Sequence, residues 1–304
     1  MSPTTIPGNL LLKNGMVITG TQRYQPAALL DQFPGAAAAY SLRNLVGTSN
    51  PAVVRVRRDN DNAEQDFTAT EVSDGTLAAW VGAGNDGFVR NWYDQSGNNR
   101  NAGQGTNARQ PRLVINGAVV TANGTPSIDF NAATNNYLTA NSVATAFASA
   151  NRPLSSFCVY RHDRVNVSEE VYAFGKNGSG IADYLVVRNN TTGQYRIAGN
   201  GSGTTVSLLG GTVSAQTQVL RTEVLLSITA STYINGSVIA GIDNAAFNVP
   251  NVAFDEFDIG NWNEGGYVTP VDGRFAELIL YPSNQSTNRT AIEANINAYY
   301  SIYP

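Results

Sequence analysis

Residues 90–102, with the sequence RNWYDQSGNNRNA, combine side chains that can bind a sugar. The aromatic ring of Trp92 or Tyr93 can stack on a sugar face, and the carboxylate of Asp94 can accept hydrogen bonds from sugar hydroxyls. The same residues also fit the end of a buried strand. In that interpretation Trp92 fills the core, and Asp94 accepts backbone N–H groups in the turn that follows.

A second aromatic residue lies in the loop GNWNEGGY at residues 260–267. This loop is rich in Gly and Asn and is too polar for a core segment. With Asn261, Asn263 and Glu264 beside it, Trp262 is predicted to form a glycan-binding platform. The alternative is a tryptophan that packs beneath its own loop or at a subunit contact.

Residues suited to nucleophilic catalysis or metal binding are few. His162 is the only histidine and no G-x-S-x-G motif is present, so we expect a surface histidine. Residues 59–66, DNDNAEQD, have the composition of a calcium loop without the EF-hand spacing, which predicts a solvated acidic loop. No metal site or cofactor is predicted, with Ca²⁺ between oxygen-rich loops left open. Cys158, the only cysteine, is expected to be a buried small apolar residue.

Composition points to a β protein with a polar, weakly charged surface. The 304 residues are 42% hydrophobic and 14% charged, well below the usual quarter of charged residues. Gly, Asn, Ser and Thr take the place of charge, which suits strands and turns better than helices. The net charge is −4 without a basic run, which argues against nucleic-acid binding. No apolar run approaches the ~20 residues that cross a bilayer, so no membrane role is predicted.

Apolar spacing predicts strands through most of the chain. Residues 52–59 alternate, with Val54 and Val56 predicted inward and Arg55 and Arg57 outward. From about residue 110, short strands recur at regular spacing, which predicts an all-β sandwich. Asn–Gly turn pairs separate them, at 116–117, 123–124, 177–178 and 235–236.

The end of the chain changes from a strand period to a helical one. Ile292, Ile296 and Tyr299 recur at helical spacing. Ser286 or Thr287 is expected to cap this helix. The prediction is therefore a β-sandwich with one C-terminal helix folded over it.

The first 25 residues show no sustained period. Asn14–Gly15 is a strong turn signal, so LLLKNGMVITG forms either a short hairpin or an extended arm that orders on a partner. We predict that residues 1–25 are an attachment arm and that residues 26–304 form a single domain.

Three stretches of the chain carry a resemblance to a known fold: GTPSIDFNAATNNYLTA (124–140), RPLSSFCVYR (152–161) and DGRFAELILYPSNQSTNRTAIEANINAYY (272–300). They resemble the opening strand and turn, the following strand, and the closing strand with helix of the concanavalin A-like (laminin-G-like) jelly roll. The resemblance implies that the first and last strands meet, with strand 275–281 near the strand at 38–44.

A second resemblance extends over about residues 28–304. Its segments are AAAAYSLRNL, AVVRVRRDNDNAEQDF, PRLVINGAVVT and, most specific, WYDQSGN at 92–98. They resemble the catalytic domain of family 54 α-L-arabinofuranosidases. They are even more similar to phage structural proteins of the tail or virion surface that share this domain.

The residues that the hydrolase family uses for catalysis are not found at the matching positions. A retaining glycosidase needs two carboxylates about 5–5.5 Å apart. The resemblance puts the acid/base aspartate near the end of FDIGNWNEGG (257–266), where Trp262 stands instead. The middle-strand segment DYLVVRNNTTGQYRI (183–197) has no glutamate to act as nucleophile, and the family's adjacent cysteine pair is absent. No catalytic residue is predicted.

These observations predict a non-catalytic virion structural protein, either a capsid decoration, a fibre or a tail component on the virion surface. It is expected to be homo-oligomeric and to contact other virion proteins through residues 1–25. It is also predicted to bind cell-surface glycans through Trp262, Asn261, Asn263, Glu264, Tyr93 and Asp94. Two alternatives stay open: an arabinofuranosidase-like hydrolase and a free lectin-like module.

Overall fold

The computed structural model describes residues 10–11, 17–18, 26–47, 49–147, 153–176, 183–201, 204–248, 253–264 and 267–304. Strands predominate over helices in this part of the chain. The helices are α1 (Leu29–Gln32), α2 (Ala69–Ser73), α3 (Thr76–Val81), α4 (Asn141–Ala144) and α5 (Arg289–Tyr300).

Short strands follow one another along both halves of the chain. In the first half they are β1 (Leu10–Leu11), β2 (Val17–Ile18), β3 (Ala38–Ser41), β4 (Ala52–Arg58), β5 (Glu64–Thr68), β6 (Gly87–Trp92), β7 (Ala102–Gly103), β8 (Arg112–Ile115), β9 (Ala118–Val119), β10 (Thr121–Ala122), β11 (Thr125–Pro126), β12 (Ile128–Phe130) and β13 (Leu138–Thr139). In the second half they are β14 (Leu154–His162), β15 (Glu169–Gly175), β16 (Tyr184–Asn189), β17 (Tyr195–Gly201), β18 (Thr204–Gly210), β19 (Gln218–Leu225), β20 (Thr229–Ile234), β21 (Ser237–Val238), β22 (Ala245–Ala246), β23 (Glu256–Ile259), β24 (Asn263–Glu264), β25 (Tyr267–Val268) and β26 (Gly273–Tyr281).

Two antiparallel sheets form the layers of a sandwich. The first sheet has the order β3–β26–β14–β19–β20. The second has the order β5–β4–β6–β7–β13–β23–β15–β16–β17–β18. At one edge β8 pairs with β6, and β12 pairs with both β8 and β26, so these two strands connect the layers. The predicted all-β sandwich with a C-terminal helix is confirmed.

Apolar side chains from both sheets meet in one core. Leu278 of the first sheet and Phe174 and Phe257 of the second belong to the same buried cluster, and the two phenylalanine rings lie 4.7 Å apart. Cys158 is buried in this layer as predicted. Complete burial of a large apolar side chain stabilises the fold by roughly 1.5–3 kcal/mol, so this layer holds the two sheets together.

Helix α5 covers the outer face of the first sheet. Ile292 and Ile296 are fully buried in a second apolar cluster with Phe157 of β14 and Ile279 of β26. Their spacing of four residues puts both side chains on one side of the helix. The predicted packing of the helix over the sandwich follows from this spacing.

The start of helix α5 differs from the prediction. The residue before the first helical turn is Asn288, and no side chain caps the helix there. Ser286 instead donates its hydroxyl to Asn284 Oδ1, and the backbone N–H of Asn288 bonds the carbonyl of Gln285. The prediction of Ser286 or Thr287 as the cap was wrong because a separate turn precedes the helix.

The first and last long strands of the sandwich are neighbours. Ser41 and Ala39 of β3 lie opposite Glu277 and Ile279 of β26. The predicted pairing of strand 275–281 with the strand near residue 40 is therefore confirmed. This pairing joins the chain segments that flank all the other strands of the sandwich.

Three of the four predicted Asn–Gly turns adopt the left-handed backbone conformation at both residues. Asn116 and Gly117, for example, have φ of 52° and 80°, and the pairs at 123–124 and 235–236 are alike. Asn and Gly tolerate positive φ better than other residues, which explains their use in tight hairpins. The pair at 177–178 lies outside the described residues.

Only two short strands of the predicted N-terminal arm are described. β1 and β2 pair antiparallel, with Leu10 opposite Ile18, as in the hairpin alternative. The role of residues 1–25 as an attachment arm stays a prediction. In the described part of the chain, no helix has the length and apolarity that a bilayer crossing requires.

Candidate functional site

Trp92 ends strand β6 and is fully buried. Its ring lies 5.7 Å from that of Tyr40, within the core between the two sheets. Alternation along β6 gives Trp92 and Val89 core positions on either side of a strand irregularity. The structure therefore favours the core interpretation of this tryptophan.

Both carboxylate oxygens of Asp94 hold the loop that follows β6. Oδ1 accepts the backbone N–H groups of Ala39 and Ser96, each at 2.9 Å. Oδ2 accepts the Ser96 hydroxyl at 2.8 Å and the N–H of Arg100 at 3.0 Å. Four donors fill the usual acceptor sites of a carboxylate. Asp94 thus joins the WYDQSGN segment to β3, and its predicted role in glycan binding stays a prediction.

Tyr93 is half-buried beside Asp94 and is also engaged. Its hydroxyl donates to Asp66 Oδ1 at 2.8 Å, and Asp66 accepts Arg55 Nε at 2.7 Å and Nη2 at 3.1 Å. Burial and the bond to Asp66 raise the pKa of Tyr93 to about 12, so its phenol stays protonated at neutral pH. Glycan binding by Tyr93 stays a prediction.

Trp262 lies in the loop after β23, with 3% of its surface exposed. Its ring is 4.8 Å from the Tyr184 ring. It forms a small apolar cluster with Ala173, Val186 and Ala198. The ring thus packs against side chains of β15, β16 and β17. The predicted platform role of Trp262 stays a prediction.

The residues beside Trp262 shape its loop. The Asn261 side chain is buried, donates to Asn135 Oδ1 at 2.8 Å and accepts the N–H of Thr269 at 3.0 Å. Asn263 and Glu264 form β24, which pairs with β25. Strands β6 and β23 are three positions apart in the second sheet, about 14 Å at the usual strand spacing. The two predicted groups of binding residues therefore lie at separate places.

His162 is buried, so the prediction of a surface histidine is wrong. It ends β14 with 2% of its surface exposed, and its Nδ1 lies 2.7 Å from Glu169 Oε2. Glu169 also accepts Arg164 Nε at 2.9 Å. Desolvation lowers the pKa of His162, although the bond to Glu169 opposes that effect. Alternation along β14 gives His162 the same inward side as Tyr160, which explains its burial.

Two glutamates with raised pKa values lie in buried ion pairs. Burial raises the pKa of Glu170, which accepts Arg188 Nη1 at 2.8 Å. Burial also raises the pKa of Glu223, which accepts Arg221 Nε at 2.5 Å. A raised carboxyl pKa is typical of a general acid. Here, however, both carboxylates are fully buried, and their arginine partners give them a role in the fold.

An open cleft of about 450 Å³ lies where β4, β6 and β8 meet the loops near residues 107 and 134. That volume is in the range of small-ligand sites. Strand register builds its floor, because Arg57 lies opposite Phe88 and Phe88 lies opposite Arg112. Side-chain amides form much of the remaining wall, from Asn107, Gln110, Asn131 and Asn136.

Arg57 lies outside the core that contains Val54 and Val56, as the alternation predicts, but it is only 6% exposed, so the expectation that it reaches solvent is wrong. Its Nε donates to Gln110 Oε1 and its Nη1 to Asn62 Oδ1, both at 2.8 Å. The guanidinium carbon lies 4.6 Å from the centre of the Phe88 ring. Residues from distant loops fold over this strand position, and the alternation within β4 cannot reveal them.

Arg57 differs from the other buried arginines in its partners. Arg43, Arg188 and Arg221 form ion pairs with glutamates, at 2.7, 2.8 and 2.5 Å. Within the described residues, Arg57 instead bonds neutral side-chain amides. Burial lowers its pKa, and nearby acids offset that effect only in part. Among the described residues, Asp59 and Glu64 act on Arg57 only from beyond ion-pair distance. A buried cation without a carboxylate in direct contact is costly, which makes Arg57 a candidate ligand contact.

Charges elsewhere in the cleft balance one another. Arg112 pairs with Asp129 at 2.9 Å and with Asp86 at 3.5 Å. Asp86 also accepts the N–H of Asn116 at 2.8 Å. Asp59 is exposed and lines the cleft as well. The two arginines of the lining thus face two aspartates, and the cleft as a whole is close to neutral.

The amides of the cleft are positioned by the loops that carry them. Asn136 Nδ2 donates to the carbonyl of Gln110 at 3.3 Å, and its Oδ1 accepts the N–H of Asn131 at 3.0 Å. The exposed side chain of Asn107 has no such bond within the part of the chain that the structure describes. An amide offers both donors and an acceptor, which matches the mixed character of a sugar hydroxyl.

Sequence reasoning missed this cleft, because four distant segments contribute its residues. Each Asn or Gln there looks like one more polar turn residue in a chain full of them. The one usable signal was the arginine-rich segment VVRVRRD at 53–59, which contains Arg57. For metals, the described residues contain no group of three or more His, Cys, Asp or Glu side chains suited to an ion.

No family model and no curated protein sequence matches the chain. Among solved structures, it is similar to a GH54 α-L-arabinofuranosidase soaked with a cyclic sulfate inhibitor, with a TM-score of 0.57, 15% identity, and coverage of 91% of this chain and 66% of that one. A mutant GH54 α-L-arabinofuranosidase soaked with 4-nitrophenyl α-L-arabinofuranoside has a TM-score of 0.59 and 14% identity, with coverage of 91% of this chain and 66% of that one. An arabinofuranosidase complexed with arabinofuranosyl-α-1,2-xylobiose has a TM-score of 0.57 and 17% identity, with coverage of 91% of this chain and 65% of that one.

These comparisons define the class of the fold. The chain is a two-layer β-sandwich of the architecture seen in arabinofuranosidases, and the predicted resemblance to that domain is confirmed for the fold. The chain spans about two thirds of the length of those enzymes, at 65–66%. At these identities the likeness establishes the fold alone, and function must be argued from the site. The resemblance to phage structural proteins stays a prediction.

Proposed function

We propose that this protein is a carbohydrate-binding β-sandwich and that the cleft lined by Arg57 and Phe88 holds the sugar. The observation that carries the proposal is the combination of an aromatic ring, a buried guanidinium and side-chain amides in one open cleft. The fold likeness to proteins crystallised with arabinofuranosides gives independent support.

The cleft offers each kind of contact that a sugar uses. Phe88 supplies an apolar surface for the C–H face of a ring. Asn107 and Asn131 supply amide groups that hydrogen-bond sugar hydroxyls, and the Asp59 carboxylate can accept hydrogen bonds from further hydroxyls. These groups come from separate segments held together by sheet register, so the cleft is formed before the ligand arrives.

A glycan array followed by titration calorimetry on the full chain tests the proposal. Phe88→Ala and Asn107→Ala should each weaken binding of any captured glycan about tenfold, the effect of losing about 1.4 kcal/mol. Ile228→Ala is a matched control, because Ile228 is 61% exposed and lies outside the cleft lining.

Tyr93→Ala separates the cleft from the site predicted at WYDQSGN. Tyr93 bonds Asp66 and does not line the cleft. Unchanged binding in Tyr93→Ala together with loss in Phe88→Ala supports the cleft. The reverse pattern would move the proposal to the WYDQSGN segment.

The alternative of a hydrolase is tested with 4-nitrophenyl α-L-arabinofuranoside. We expect no hydrolysis, because the glutamates with raised pKa values are enclosed in ion pairs with Arg188 and Arg221. Release of nitrophenol that disappears when a single carboxylate is changed to its amide would establish the enzyme instead.

A more specific form of the proposal puts this domain on a virion surface, as a homo-oligomer attached to another virion protein through residues 1–25. The resemblance of WYDQSGN and its companion segments to phage structural proteins supports it. Deleting residues 1–22 should leave a folded, soluble domain that no longer assembles, and the full chain should be found in purified virions. Unfolding of the truncated chain would show instead that the arm belongs to the core.

A further inference from the structure

The proposed carbohydrate-binding function leaves the class of sugar open, and one residue narrows it. We propose that the cleft binds a sugar with a carboxylate group, of the uronic acid type, and that Arg57 is the residue that recognises this group. The inference rests on the proposed function, because it takes the cleft to be the ligand site.

The guanidinium of Arg57 has N–H donors that remain available to a ligand. A guanidinium carries five N–H donors. Within the described residues, Gln110 and Asn62 accept two of these donors. The three others belong to Nη1 and Nη2, the two nitrogens that form one edge of the fork. Such an edge matches the two oxygens of a carboxylate in parallel hydrogen bonds.

The same contacts hold Arg57 in a fixed orientation. Gln110 accepts from Nε and is itself fixed by a 2.9 Å bond from its Nε2 to the carbonyl of Gln104. Asn62, with its backbone in the left-handed region at φ 60°, holds Nη1 from the other side. Phe88 packs against the guanidinium. A side chain ordered before binding loses little conformational entropy when the ligand arrives.

The pattern of charge singles out Arg57 within the lining. Arg112 is already paired with Asp86 and Asp129, so it has no charge left to neutralise. Asp59 and Asp86 make the cleft close to neutral overall, so the general electrostatic field does not gather anions. Selection for an acid must come from direct contact with Arg57. The preference should therefore depend only weakly on salt compared with a basic patch.

Matched ligands that differ in one charged group test the inference. Titration calorimetry compares trigalacturonic acid and triglucuronic acid with their methyl esters, using the full chain. We expect at least one acid to bind about tenfold tighter than its ester, the effect of a charge-assisted pair.

Variants at Arg57 test whether the preference for the acid depends on this residue. Arg57→Gln should abolish the preference for the acid over its ester. Arg57→Lys keeps the charge but loses the fork, and should retain only part of the preference. Arg55→Gln is the control on the same strand, because Arg55 bonds Asp66 and lies outside the cleft lining.

The outcomes separate this inference from the proposed function. Equal affinity for each acid and its ester, or a preference that survives Arg57→Gln, overturns the carboxylate inference while binding in the cleft stands. If neutral oligosaccharides bind and both acids fail to bind, the inference is also wrong. If no oligosaccharide binds in a way that depends on Phe88, both proposals fail. The comparison of acid with ester uses the unchanged protein, so a variant that fails to fold does not prevent a decision.

Discussion

Changing Arg43 to methionine should destabilise the protein strongly, whereas the same change at Arg57 should leave its stability almost unaltered. Arg43 forms a two-pronged ion pair with Glu277, at 2.7 Å from Nε and 3.0 Å from Nη2. Glu277 is 0% exposed. Without Arg43 its charge stays buried with only hydroxyl partners, which costs about 3–5 kcal/mol of unfolding free energy.

In Arg57→Met, opposing contributions to the unfolding free energy nearly cancel. The methionine variant loses two bonds to Gln110 and Asn62, at about 1 kcal/mol each, and leaves the Gln110 amide oxygen without its donor, for about 1–3 kcal/mol more. It also removes a buried charge that Asp59 and Glu64 compensate only at long range, and the desolvation of such an ion costs several kcal/mol. We expect a net change within about 1 kcal/mol of zero.

Urea unfolding followed by tryptophan fluorescence measures both changes in one assay. The unchanged chain, Arg43→Met and Arg57→Met should show similar dependence on urea, with a clearly lower midpoint for Arg43→Met alone. If Arg57→Met is as unstable as Arg43→Met, Arg57 is a structural residue and its lack of a contacting carboxylate does not mark a ligand site. A substitution that keeps or raises stability while it weakens binding is typical of a functional residue.

Three further predictions concern the stability of the fold. Burial lowers the pKa of His162 below 6.5, so the unfolded chain binds a proton there more readily than the folded chain does. The unfolding free energy should therefore fall as the pH drops below 6.5, and His162→Gln should flatten this decline in urea midpoints measured between pH 7 and about 5. Gly260→Ala should cost about 2–4 kcal/mol in thermal unfolding, because φ is +83° and a methyl group would overlap the Phe130 ring, whereas Gly124→Ala, with φ of +72° and open space, should cost about 1 kcal/mol. Asp94→Ala should lower the unfolding free energy by about 3 kcal/mol, since backbone N–H groups lose their acceptor, and Asp94→Asn by less than half of that; equal losses would contradict this account of the loop.

Local patterns made much of the fold predictable. Alternation identified β4, and Asn–Gly pairs identified hairpins such as the one at Asn116–Gly117, because these signals depend on backbone conformation within a few residues. The helical spacing of Ile292 and Ile296 identified α5 for the same reason. The pairing of β3 with β26 is not local, and the resemblance to a jelly roll supplied it.

Exposure of polar residues was predicted less well, because it depends on what the rest of the chain brings over a strand. His162 was expected at the surface on the basis of its type, although its position along β14 is an inward one. Trp262 was placed in a polar loop by its neighbours in sequence, yet its ring is buried against the small side chain of Ala173. In both cases the contacting residues lie on other strands.

The cleft shows why a binding site can escape sequence reasoning while its fold does not. Arg57 reads as the outward member of an alternating strand, and only the three-dimensional placement of Gln110 and Asn62 turns it into a buried cation. The other buried arginines of the chain, such as Arg43, have glutamate partners on neighbouring strands or nearby in sequence. In the described part of the chain, three buried guanidinium groups are in direct contact with a glutamate, whereas the fourth, Arg57, lines a cleft and has no carboxylate at ion-pair distance, which keeps a cost that packing could have removed. That cost is understandable if a ligand supplies the missing charge, and it is the physical reason to test acidic sugars first.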